Sequence, residues 1–311
     1  MLNRLLEMLG NVVGNGKLSI LIYHQVVEQR DSMRPTEPTS ATFEWHMRLI
    51  RAHYNPLALS QAVSALKNGT LPNNAICVTF DDGYLNNLTV AGPILHKYQI
   101  PATVYIATGF SNGQNMWNDQ IIHLFADTSK EKLSLEGREV TLGRWHQRSE
   151  LANQWLQKLK YLPVDERQSK VGEFYLENGM GQQRSLMMNP DQLRELADLD
   201  ITIGAHTVNH PILKTLPEDE QRAEINDCKA DLESWLDRPV EHFAYPNGII
   251  GKDLDQTTID LVKEAGFKTA VVTDWGPCSK STSPWLLNRF TPWDKSPSRF
   301  QLRLLKNMLS S

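Results

Sequence analysis

A distorted or incomplete (β/α) barrel with about seven parallel strands is the α/β architecture this sequence predicts, and three observations predict it. Short β-rich runs alternate with helical patterns along most of the chain. The β-rich runs are almost continuously apolar, as strands are when helices cover both faces of a parallel sheet. No linker, repeat or low-complexity tract divides the 311 residues, and barrels of that length are ordinary single domains. The expected organisation is therefore one catalytic-size domain over 1–311.

The opening stretch, MLNRLLEMLGNVV, sets Leu2, Leu5, Leu6, Leu9, Val12 and Val13 at helical spacing, which predicts an amphipathic helix over about 1–13. Packing against its own domain is the expected use, with peripheral membrane contact as the alternative. Arg4, Glu7 and Lys17 interrupt the apolar run before it could span a bilayer, and no signal-peptide cleavage pattern follows. The expected location is cytoplasmic, at most peripheral to the membrane.

Strands are then expected at Leu18–His24, Leu57–Leu59, Ala75–Phe80, Thr103–Ile106, Ile201–Ala205, His242–Tyr245 and Thr269–Thr273. Helices are expected around Phe43–His53, Gln61–Lys67, Leu88–Tyr98, Glu218–Leu236 and Leu254–Ala265, with Ser60 and Pro217 as starts and Gly69 and Gly266 as stops. Residues 111–188 break the alternation. They carry a hairpin pattern, LSLEGREVTL, turning at Glu136-Gly137, and then charged helical sequence, which reads as an insertion on a strand-to-helix loop.

A content of 41% hydrophobic and 22% charged residues supplies a sizeable core, and a net charge of −4 gives no electrostatic reason for a nucleic-acid partner. Cys77, Cys228 and Cys278 are odd in number and far apart, so neither a disulfide framework nor a zinc knuckle is expected.

Chemistry is concentrated where strands end, the face on which barrel active sites are built. VTFDDGY sets Asp81 and Asp82 side by side after an apolar strand, where two like charges repel unless a cation stands nearby. A solvated Asp-Gly turn is the plainer reading. ITIGAHTVNHP ends another strand with His206 and His210 four residues apart, a spacing that can offer two imidazoles to one metal. Two His and one Asp would hold a divalent ion with open positions, leaving the other carboxylate unligated as a base. Imidazole and carboxylate make zinc the expected metal, with nickel or cobalt also fitting.

Together these stretches resemble the polysaccharide deacetylases of the NodB-homology type, carbohydrate esterase family four, from about Leu18 to Arg289. TFDDGY is similar to the first motif of that family, which implies Asp81 as catalytic base and Asp82 as metal ligand. HTVNH is similar to the second, which implies His206 and His210 as ligands and Thr207 as a support of the loop. FAYPNG is similar to the third, a wall of the substrate groove, and implies the Asn247 N–H as an oxyanion donor. Tyr84, Tyr245 and Pro246, inside these motifs, are expected to contact substrate.

The resemblance has gaps. Many relatives orient the catalytic Asp with an Arg in the third motif, where this chain has Ala244, so another group must do so. Asp274-Trp275 is only a faint echo of the fourth motif, and the usual C-terminal Leu-x-His is missing, since no His follows His242. The Tyr-His-x-Val element at Tyr23–Val26 resembles that of exopolysaccharide-type members. It implies His24 as the general acid, a residue of the first strand filling the place of one from the last; a structural histidine is the alternative. The function implied is metal-dependent removal of N-acetyl groups from amino sugars of a poly- or oligosaccharide. Cleavage of another linear amide or an O-acetyl ester, and a silent carbohydrate-binding module, are the alternatives.

Overall fold

The computed structural model describes residues 13–181 and 183–310. The helix expected at 1–13 therefore lies almost wholly outside the described residues. In chain order the elements are β1 (Leu18–Tyr23), α1 (Ser40–His53), β2 (Asn55–Pro56), α2 (Leu59–Asn68), β3 (Ala75–Phe80), a π-helical turn (Asn87–Ala91) running into α3 (Gly92–Tyr98), and β4 (Ala102–Ile106). There follow α4 (Trp117–Ala126), the hairpin β5 (Lys132–Leu135) and β6 (Arg138–Thr141), α5 (Trp145–Leu159), α6 (Val164–Glu177) and α7 (Pro190–Asp198). The chain ends with β7 (Thr202–Ala205), α8 (Glu218–Leu236), β8 (His242–Ala244), α9 (Gln256–Glu264), β9 (Thr269–Val271) and α10 (Pro297–Leu309).

Seven strands form one parallel sheet in the order β1-β3-β4-β7-β8-β9, with β2 paired to the start of β3. This is the distorted, incomplete barrel expected. The strands alone leave a gap between β9 and β1, and an irregular segment fills it. Leu287 exchanges backbone hydrogen bonds with Ala270 and Val272, and three residues on Phe290 does so with Ile20 and Ile22. The first and last parts of the barrel are thus neighbours across residues 287–290.

Both faces of the strands are buried, which explains their unbroken apolar sequence. Ile76, Val78, Phe80, Val104 and Ile106 face outward into the main core under the helices. Leu18, Ile20, Cys77, Tyr105, Ala244 and Leu287 fill the inside, and α2 caps that cluster from the end away from the site. Gly204 is required there, because a Cβ would stand 2.5 Å from the Tyr105 ring. Alternation along β3 carries Asp81 onto the inner face just past the strand end.

Residues 111–188 build a lobe with its own apolar cluster, in which Ile121, Leu124, Phe125, Leu133, Leu135, Leu159, Val171 and Phe174 are buried. Its hairpin turns at Glu136 and Gly137, both at positive φ (52° and 71°), the geometry of a two-residue turn. Three helices are absent from the expected pattern: α4, inside the stretch read as an insertion, α7, although Leu193, Leu196 and Ala197 stand at helical spacing behind an Asn189 cap, and α10, beyond the expected last strand. The strand expected at Leu57–Leu59 lies instead at Asn55–Pro56, since Leu59 already begins α2.

Candidate metal centre and catalytic pocket

Four loops meet at the C-terminal ends of the strands. Strain marks the place: among the described residues nine non-glycine positions have positive φ, and Asp82 (76°), Thr207 (66°), His210 (52°) and Asn247 (59°) are four of them. Gly83, at φ 89°, holds a conformation that strains any other residue, and a Cβ there would lie 2.9 Å from the Ile106 side chain. That close approach presses the Asp81-Asp82 turn onto the end of β4.

Asp82, His206 and His210 converge, one ligand atom of each lying within 4.8 Å of the others. His206 Nε2 is 3.6 Å and His210 Nε2 3.5 Å from Asp82 Oδ1. His206 Nδ1 lies 2.7 Å from the Ala244 carbonyl, which can only accept, so Nδ1 carries the proton and the Nε2 lone pair faces Asp82. Burial lowers the pKa of His206, and burial followed by the His206 and Arg167 charges lowers that of His210 well below its usual value, so both rings are neutral. Asp82 Oδ1 is buried without a hydrogen-bond partner. Burial first, then the charges of Asp81, Asp119 and Glu37, push its pKa up to about 7. Acceptor faces acceptor, an arrangement that is unfavourable until a cation stands between them. The spacing suits one: ligands at roughly 2.0–2.2 Å around a tetrahedral ion are about 3.4 Å apart. The residues present fit a divalent metal.

The loop holding the two histidines is braced from both sides. Thr207 Oγ1 accepts the His210 N–H at 3.1 Å, the support the sequence implied for it. Glu224 on α8 accepts the N–H groups of Val208 and Asn209 at 2.9 and 2.8 Å. From the inserted lobe, buried Arg167 of α6 donates to the Asn209 carbonyl at 3.4 Å and lies 4.8 Å from the centre of the Trp117 ring. Burial lowers its pKa to about 10, against the attraction of Glu224. Arg167→Ala is expected to loosen the loop that presents His210 and so weaken metal affinity, by no more than about 10-fold because the contact is to the neighbouring Asn209 carbonyl and the Arg167 charge itself opposes a cation, with a smaller change on Arg167→Lys. Metal titration of the purified variants checks this, and unchanged affinity in both would refute it.

Asp81 is held by a residue that the sequence did not single out. Arg289, in the segment that closes the barrel, donates through Nη1 to Asp81 Oδ1 (2.6 Å) and through Nη2 to Oδ2 (2.7 Å), and through Nε to the Val272 carbonyl (2.9 Å). It is fully buried, with its guanidinium 5.8 Å from the Tyr105 ring centre. Burial would raise the Asp81 pKa, but Arg289, with His206 and His24, outweighs it and holds the carboxyl at about 2. The guanidinium that many relatives place at the third motif is here supplied from 45 residues further along, counting from Ala244 to Arg289. An arginine inside the apolar run WLLNRF was the available signal.

His24 follows β1 and lines a cavity of about 330 Å³ together with Asp82, Tyr84, Glu37, Arg34 and Asp119. Asn87 donates to its carbonyl at 2.8 Å. Burial alone would lower its pKa, but Asp82, Asp81 and Glu37 outweigh that and raise it. His210 and Asn247 line another cavity, of about 170 Å³, with Trp117, Leu156 and Arg167 of the lobe, and Asn118 lines both it and the His24 cavity. The Pro246-Asn247-Gly248 turn is anchored through its carbonyls by Thr273, whose Oγ1 donates to Asn247 O (2.5 Å) and whose N–H donates to Gly248 O (3.0 Å).

Of the residues expected along the groove, Tyr84 lines the His24 cavity, but its hydroxyl donates to buried Asp119 at 2.9 Å. Tyr245 lies in the core with its ring against Phe243 and its hydroxyl on the Trp285 carbonyl, and Pro246 is buried. Asp274, the echo of a fourth motif, accepts the Ile250 N–H at 2.9 Å and secures the loop after the third, while Trp275 is exposed.

Fold and site define a class: an incomplete parallel barrel with a candidate His/His/Asp site for a divalent metal and a separate buried carboxylate beside it. The sequence pattern of the polysaccharide deacetylases matches residues 68–270, and the chain belongs to that family. It is therefore an amide-hydrolysing enzyme of a metal-dependent, carbohydrate-directed class. YxkH of Bacillus subtilis is 22% identical over 275 residues, 88% of this chain and 70% of that one. The poly-beta-1,6-N-acetyl-D-glucosamine N-deacetylase of Staphylococcus aureus (strain MRSA252) is 26% identical over 172 residues, 53% of this chain and 59% of that enzyme. The fold is that of the Streptococcus pyogenes deacetylase PplD, solved in complex with acetate (TM-score 0.62, 22% identity, 94% of this chain and 98% of that one). It is also that of IcaB from Ammonifex degensii (TM-score 0.59, 17% identity, 94% and 97%). Among the described residues no helix is long and apolar enough to cross a membrane.

Proposed function

We propose that the chain removes N-acetyl groups from the amino sugars of a polysaccharide, with zinc held by Asp82, His206 and His210. The observation that carries this reading is the buried, unpartnered Asp82 oxygen facing two neutral imidazoles at 3.5–3.6 Å. The S. aureus relative, named for a polymer of N-acetylglucosamine, supports a substrate of that kind.

When bound, the metal would polarise the acetamide carbonyl and acidify the attacking water. Asp81, kept ionised and aimed by Arg289, takes the proton from that water as general base. The Asn247 N–H, on a turn fixed through its carbonyls, donates to the developing oxyanion, a contribution of about 3 kcal/mol when such a donor is well placed. His24, which lines the other cavity, gives a proton to the leaving amine. This division puts the acetyl group toward the Asn247 cavity and the sugar toward the cavity of His24 and Tyr84, both of which the inserted lobe helps to line.

Asp82→Ala, His206→Ala and His210→Ala are each expected to lose bound metal, whereas Asp81→Asn retains it and loses turnover by about 10²–10⁴. Metal analysis beside acetate release from N-acetylated and O-acetylated oligosaccharides checks both. Wild-type turnover in Asp81→Asn would remove Asp81 from the role of base, and acetate release from the esters alone would replace the amide reading.

A further inference from the structure

A second cavity, of about 500 Å³, lies next to the one that holds His24 and Asp82, and Pro35, Thr36 and Glu37 line both. That volume is within the range of small-molecule sites. On its far side stands Trp293, with 56% of its surface exposed. Exposure alone marks no site, since Trp275 is equally exposed; Trp293 is singled out by its place at this cavity. This one is also fixed in place. The Arg303 guanidinium lies 4.7 Å from the ring centre, and Arg303 Nε makes a 3.1 Å ion pair with Asp294. Arg303 is carried by α10, which is seated through buried Phe300, Leu304 and Met308. Cation–π and ionic contacts together hold the ring at the rim of a cavity that three threonines, three prolines, the carboxylates Glu37 and Asp294 and the cations Arg30 and Lys295 also line.

A rigid aromatic plate beside hydroxyl and carboxylate groups matches a pyranose ring, which has an apolar C–H face and a polar edge. The acid of the proposed reaction opens onto the adjoining cavity, so the rest of a bound chain leaves the centre on this side. We propose that the Trp293 cavity binds a further sugar unit of the same polymer, over the Pro35–Glu37 segment from the unit being deacetylated. This rests on the amino-sugar polymer reading above. It makes the enzyme sensitive to chain length, with Trp293 acting on substrate affinity.

Acetate release from β-1,6-linked N-acetylglucosamine dimer and pentamer, measured on the zinc-loaded full chain, tests it. The wild type is expected to favour the pentamer in kcat/KM by about tenfold, the equivalent of one good ring contact. In Trp293→Ala that ratio falls to within about twofold of unity through a higher KM for the pentamer, while Trp293→Phe keeps most of it. A ratio near one in the wild type, or an equal loss on both oligomers in Trp293→Ala, would overturn the subsite and leave the deacetylase reading standing. No turnover of either oligomer by the metal-loaded protein would overturn that reading, and the subsite with it.

Discussion

Arg289→Ala is expected to be the most damaging single substitution in the site, costing about 3–5 kcal/mol of stability, the usual result of stripping one partner from a buried ion pair. Both nitrogens of the fork are engaged by Asp81 and a third by a carbonyl, and none of this reaches water. The pH dependence follows from the sign of the shift. Asp81 is held at about 2, below the ordinary carboxylate value near 3.9, so its contribution to stability is full above pH ~4 and is lost as pH falls toward 2. Without Arg289, burial dominates and raises the Asp81 pKa. The acid limb of kcat/KM therefore moves toward neutral pH, and the base is partly protonated where the wild type is fully active. Arg289→Lys keeps a charge but not the fork, and falls between the two. Ala244→Arg in the wild-type background is not expected to raise turnover. Ala244 is fully buried inside the barrel, and a second guanidinium would overpack it. Denaturation and pH–rate profiles of the variants check these outcomes. Wild-type melting and an unmoved acid limb in Arg289→Ala would show that Asp81 is oriented by something else.

The sequence displayed most of the frame because the frame is made of local signals. The runs at Ala75–Phe80 and Glu218–Leu236 correspond residue for residue to β3 and α8. Pro217 caps α8 and Gly69, at φ 72°, ends α2, positions whose backbone geometry those residue types favour. Asp82, His206 and His210 were legible for the same reason, each lying in a short motif at a strand end. Arg289 was not, because its role depends on a pairing 208 residues apart and on a segment too irregular to read as a strand. The contribution of the lobe was hidden in a similar way. Arg167 reads as one more charge on a helix, and only the packing of α6 against the His206–His210 loop makes it a brace. Tyr245 shows the opposite failure, since a motif position next to the groove carries a side chain turned into the core.

His24→Ala is expected to keep the fold and the bound metal yet lose about 10²–10⁴ in turnover, the range for losing a positioned acid. The placement is what distinguishes this from a structural histidine. His24 shares a cavity with Asp82, and the carboxylates of Asp82, Asp81 and Glu37 raise its pKa above the usual 6.5 despite its burial. A raised pKa extends toward higher pH the range in which the ring is protonated, the form an acid must have before it donates to the leaving amine. Activity should therefore decline as pH rises through that raised value, and this alkaline limb should vanish in His24→Ala. The same shift makes a stability statement. The charged ring stabilises the fold fully below its unfolded pKa of about 6.5, and that contribution fades as pH rises through the folded value. Glu37→Gln separates the two consequences, because it removes one of the charges that raise His24 while leaving the ring. The alkaline limb should then shift to lower pH with turnover at acidic pH largely kept. Turnover near the wild-type level in His24→Ala, with only a lower melting temperature, would make the residue structural and place the acid elsewhere in the cavity. An alkaline limb that persists unchanged in His24→Ala would show that the titrating group belongs to the metal centre instead.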